Sequence, residues 1–96
     1  MNHAMNNYRK QEFVRSKIRE LVDDGLVQMR NPELSNEYTL IWIDYSRQIL
    51  EITTKDYNPD IVLNYIRVIM SIQPHLMPYQ KIGICLDYLI GVLRII

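Results

Sequence analysis

A single cysteine, Cys85, leaves no internal disulfide, and its place in an apolar run points to a reducing compartment. Only three glycines are present, so there is no glycine-rich loop to cradle a phosphate. The two histidines, His3 and His75, lie far from each other and from Cys85, and no pair has metal-ligand spacing. Net charge is missing as well. Eleven basic residues balance eleven acidic ones, so no whole-molecule field draws in nucleic acid or anionic lipid. The opening MNHAMNNYRK has no apolar stretch of the secretory kind, which makes the cytoplasm the expected location. The carboxylates are scattered without a recognisable acid–base pair. The expected protein is therefore not an enzyme and takes no cofactor.

What is present is apolar and unevenly placed. Ninety-six residues suit one domain, residues 1–96, with 1–7 expected to be disordered. Of the twenty-two charges, eighteen fall in residues 1–60. Residues 61–96 carry only Arg67, Lys81, Asp87 and Arg94, against twenty-three apolar side chains. The pattern is a polar N-terminal half and a core-forming C-terminal half.

Tyr8 to Asp24 has the spacing of an amphipathic helix through Val14, Ile18, Leu21 and Val22, and Gly25 is placed to cap it. Leu26 to Arg30 reads as a short strand, and NPELSNE, residues 31–37, as a loop. YTLIWID (38–44) is rich in β-branched and aromatic residues and apolar on both alternating sets, while Ile49 to Thr54 alternates more cleanly. Together they predict a hairpin or a three-stranded meander. Asn58-Pro59-Asp60 is a helix start, Pro74 stops that helix, and a last one runs from about Pro78 to the end. The expected fold class is α+β: an N-terminal amphipathic helix, a small antiparallel sheet and two apolar C-terminal helices.

At about 100° per residue, Asp60, Asn64, Arg67 and Ser71 share about 60° of the third segment's wheel. Gln80, Gly83, Asp87, Gly91 and Arg94 share about 80° of the last. Nearly everything else on both is apolar, more than one helix and a small sheet can cover. Lipid is a poor cover, because Ile82 to Leu93 is twelve residues interrupted by Asp87, and a span needs roughly twenty. A second copy is the better one. Self-association is expected through Ile66, Ile69, Met70, Leu86, Leu89, Ile90 and Leu93. On the polar arcs, Gly83 and Gly91 either allow helices to approach closely or are merely tolerated, and Arg67 and Asp87 either pair across the two helices or, as the first expectation, face solvent.

The basic run YRKQEFVRSKIRE raises nucleic-acid binding, with Arg15 and Arg19 as candidate contacts. Its cations flank both sides of the apolar stripe, and Glu12–Arg15, Lys17–Glu20 and Arg19–Asp23 have the spacing for mutual support, the pattern of a solvated face. IRELVDDGLVQMRN with a hairpin after it resembles the end of a winged-helix domain over about forty residues. It has no specific motif, and the preceding helix pair is absent. Trp42 and Tyr45 read as hairpin core, or as a partner-binding face if exposed. The reading is a small, non-catalytic regulatory or inhibitory protein that forms a homodimer and binds another protein. The alternatives are a winged-helix-like nucleic-acid-binding dimer and a membrane-associated accessory protein.

Overall fold

In the computed structural model, which describes residues 3–96 with side-chain surroundings from residue 7 onward, Ser35 opens a helix where a strand was expected. Its hydroxyl accepts the Tyr38 N–H at 3.0 Å. Such a cap is worth about 1 kcal/mol. The helix it starts continues to Thr54. Among the described residues there are four helices: α1 (His3–Met29), α2 (Asn36–Thr54), α3 (Asp60–Met70) and α4 (Pro78–Ile95). There is no strand among the described residues, so the α+β expectation is corrected to an all-α fold. The hairpin and the strand at 26–30 are both helix. α1 also takes in most of the stretch expected to be disordered; Met1 and Asn2 lie outside the described residues.

The reason lies in which residues of α2 are buried. Its inward face is Thr39, Trp42, Ile43, Ser46, Leu50 and Thr54, a run at helical spacing. Half of those positions are hydroxyl residues, which disguise the stripe in a polar/apolar reading. Each satisfies itself locally: Thr39 donates to the Ser35 carbonyl at 2.8 Å, Ser46 to Ile43 at 2.7 Å and Thr54 to Leu50 at 2.7 Å. Meanwhile Leu40, Ile41 and Ile52, which a strand would bury, are exposed.

Tertiary contacts fix the directions. The Ile96 carbonyl accepts from the Gln11 and Arg15 side chains, while Gly25 faces Leu86, so α4 runs antiparallel to α1. Trp42 bonds Asp24, setting α2 antiparallel to α1 as well. Tyr65 meets Ser46, and the Tyr88 hydroxyl donates to the Ile61 carbonyl at 2.6 Å, placing α3 antiparallel to both α2 and α4. The result is an up-down-up-down bundle. α2 and α4 touch across its short diagonal, and α1 and α3 make no close approach. Val14, Ile18, Leu50, Tyr65, Ile82 and Leu89 fill the centre.

Gly25 does not cap α1. It lies inside the helix, where α1, α2 and α4 converge, and a Cβ there would sit 2.5 Å from a Leu86 methyl and 2.9 Å from the Trp42 ring. Only glycine lets the three helices meet so closely. At the other helix starts the sequence signals hold. The Asn58 side chain accepts the Asp60 N–H at 3.0 Å, and Gln80 accepts from the Met77 backbone at 2.9 Å. No helix is long and apolar enough to cross a membrane among the described residues.

Candidate protein-binding groove

With α2 helical, its outward apolar residues form a second stripe beside the buried one. Tyr38, Ile41, Tyr45, Ile49 and Ile52 recur at three- and four-residue spacing along the side facing α1. Ile41 is 58% exposed, Tyr45 50% and Ile52 66%. Between this stripe and α1 runs a groove of about 360 Å³, floored by Leu21 and Trp42 and edged on α1 by Lys17, Glu20, Asp24 and Gln28. It continues toward the start of α2 into a hollow of about 550 Å³ at Val27, Leu34 and Tyr38. Further along toward the end of α2 lies a separate, smaller hollow of about 180 Å³ at Lys10, Phe13, Ile52 and Tyr57. The seam thus follows almost the whole of α2.

Its polar groups are positioned by the fold. Trp42 is only 4% exposed, and its indole N–H donates to an Asp24 carboxylate oxygen at 2.6 Å, fixing that carboxylate at the rim. The Lys17 ammonium stands 5.8 Å from the Phe13 ring centroid and 3.4 Å from Glu20. Tyr38 and Tyr45 each present a ring wall with a free polar tip.

The residues expected to self-associate divide. Leu86 and Leu89 are enclosed in the chain's own core, so they offer nothing to a second copy. Ile66, Ile69, Ile90 and Leu93 are half-buried against that core, and Met70 alone is fully outward at 80% exposed. The apolar surplus inferred for α3 and α4 is largely covered, because α2 supplies a helix face where a small sheet was expected. On α3 and α4, Leu63, Met70, Tyr79 and Ile95 stay exposed singly, whereas on α2 and its border with α1 the exposed apolar residues fall in one stripe. A Cβ at Gly83 would meet only the Met29 terminal methyl, at 3.6 Å, and one at Gly91 nothing within 4 Å, so neither marks a close helix approach within the chain. Arg67 and Asp87 are exposed and form no ion pair with each other.

Trp42 belongs to a helix and to the core, not to a hairpin; Tyr45, three residues on, is the exposed one. Arg15 is drawn to its own chain, donating to the Ile96 carbonyl and pairing with Glu12, which caps the end of α4. Arg19 stands exposed without the expected Asp23 pair. The winged-helix resemblance rested on a wing that is helix here. Cys85 is fully buried, and burial pushes its thiol above the ordinary value, the opposite of an activated nucleophile. Among the described residues no three His, Cys, Asp or Glu side chains are grouped to hold a metal ion. The chemistry at hand is apolar contact with a charged rim.

Comparison with protein-family models, with characterised proteins and with solved structures finds no match for this chain.

Proposed function

We propose that the chain is a small, non-catalytic helical protein that acts by binding protein along the α1–α2 seam, as a regulator or inhibitor does. One observation carries the reading: five apolar side chains of α2 follow one helical stripe, and four of them, Tyr38, Ile41, Tyr45 and Ile52, are about half exposed or more. A contiguous apolar face rimmed by charge is what interaction sites look like. Tyrosine at its centre adds large, stiff contact area at low entropic cost. The stripe's spacing suits an α-helical counterpart laid along the groove.

Photo-cross-linking in cells tests this. Benzoylphenylalanine in place of Tyr45 or Ile41 is expected to yield one discrete adduct, lost when Ile52→Asp is added, whereas the same group at Gln73 yields none. Equal labelling at all three positions, or no adduct at any, ends the proposal.

A further inference from the structure

We infer that the occupant of the α1–α2 seam is a second copy of this chain, docked about a twofold axis perpendicular to the helices and passing near Tyr45. The inference rests on the protein-binding reading and specifies its partner. Its ground is the way charge is distributed along the groove.

At the end of the seam where α1 finishes and α2 begins, the groove is bordered by Asp24 and Glu33, with Glu37 in the first turn of α2, while Glu20, paired with Lys17 at 3.4 Å, lies between the two ends. At the opposite end it is bordered by Lys10 and Lys17, with Lys55 just past α2 and Asp56 among them. One end is acidic and the other mainly basic. Two copies of a two-helix face can pair about an axis along the helices or across them. An axis along the helices lays acidic end on acidic end and basic on basic. An axis across them lays each acidic end on the other copy's basic end, which is the complementary choice.

The apolar stripe obeys the same symmetry. Tyr45 lies midway between Tyr38 and Ile52, and Ile41 and Ile49 flank it at four residues each. Turned about Tyr45, the stripe maps onto itself: Tyr38 meets the second copy's Ile52, Ile41 meets its Ile49, and Tyr45 meets Tyr45. An isologous interface needs a patch that is its own complement. This one is so in shape class and in charge. In the same register Lys17 arrives opposite the second copy's Asp24, since Asp24 stands level with Trp42 and Phe13 level with the end of α2.

The experiment is solution mass combined with directed cross-linking of the full chain. Sedimentation and light scattering are expected to give twice the 11.5 kDa chain mass. Tyr45→Asp, at a half-exposed position, is expected to give one chain mass with an unchanged helical spectrum, its dissociation constant raised by roughly 30-fold or more as for a central aromatic anchor. Mixed Tyr38→Cys and Ile52→Cys proteins should cross-link under mild oxidation far better than either alone, with buried Cys85 as an internal bystander.

A wild-type mass of one chain at all concentrations overturns the inference. So does a dimer that survives Tyr45→Asp but dissociates with Met70→Asp, which places the contact on α3. Preferred cross-linking of Tyr38→Cys with Val27→Cys overturns the axis. Failure here is separable from failure of the broader reading: a benzoylphenylalanine adduct at position 45 that contains a different protein keeps the seam as a binding face and removes the second copy from it.

Discussion

Ser46 has one hydroxyl proton and gives it to the Ile43 carbonyl, so the Tyr65 hydroxyl 2.7 Å away is the donor in their bond. The order Tyr65 to Ser46 to Ile43 is a relay with every member satisfied, deep between α2 and α3. Tyr65 also stacks on Tyr88, ring centroids 5.6 Å apart, and lies against Cys85. Removing one end of such a relay costs more than removing both. Ser46→Ala, which strands the Tyr65 hydroxyl, is expected to lower unfolding free energy by about 1–3 kcal/mol in urea titrations. The Ser46→Ala/Tyr65→Phe double variant should lose less than the two singles added together, and strict additivity would show that the relay carries no coupling.

Burial governs the ionisation of the same cluster. It raises Tyr65 far above 10.0, with Cys85 adding to the effect, and raises Cys85 above 9.0. Both groups stay neutral in the folded protein where the unfolded chain would ionise. The unfolded state therefore binds fewer protons once pH passes those ordinary values, and the slope of stability with pH turns negative. Stability should be insensitive to these groups below about pH 9 and fall above it, Tyr65 contributing up to about 1.4 kcal/mol per pH unit. Tyr65→Phe should flatten the alkaline limb of an unfolding series run from pH 8 to 11.

At the scale of the helix, two starts were legible in the sequence and one middle was not. Asn58-Pro59-Asp60 and Pro78 are punctuation with local physical causes and mark the starts of α3 and α4, whereas α3 ends at Met70, short of the expected stop before Pro74. The stripe of α1 is legible but its end is not, because glycine is as good a terminator as it is a spacer and the helix runs through Gly25 to Met29. α2 failed for the reason already visible in its packing. Thr39, Ser46 and Thr54 hold core positions with their polar atoms folded back on the helix, while the seam residues are apolar and outside. The polar/apolar pattern was inverted at the places that decide between helix and hairpin. Ser35, an N-cap type followed by Glu37 in the first turn, was the signal that could have found it. The seam could not be read without α2, and so the apolar excess was sought on α3 and α4 alone.

Two glycines in helices make opposite predictions. Gly25→Ala gains up to about 1 kcal/mol of helix propensity but forces a methyl against the Trp42 ring, and overpacking of that kind costs about 1–3 kcal/mol. Net destabilisation is expected, with a loss of the native Trp42 fluorescence environment. Gly91→Ala meets nothing within 4 Å and should raise the melting temperature, the propensity gain of up to about 1 kcal/mol being unopposed.

For the whole molecule, the arrangement has one well-connected side and one spare side. α1, α2 and α4 all contact one another and converge on Gly25. α3, eleven residues and roughly 16 Å long, leans on α2 and α4 and never reaches α1. The seam proposed to bind lies on the connected side, so occupying it braces the three helices that already hold together.

That α1 and α3 make no close backbone approach among the described residues also sets how the molecule can come apart. Releasing α3 breaks no interface among the other three helices, so the chain contains a three-helix unit and a detachable fourth segment with its own, smaller, opening free energy. Tyr65 leaves with α3, and the Cys85 thiol it covers is uncovered in the same event. The lone cysteine, inert in the closed fold, becomes a chemical clock for α3: its rate of alkylation counts openings of that one helix while the rest of the bundle stays shut.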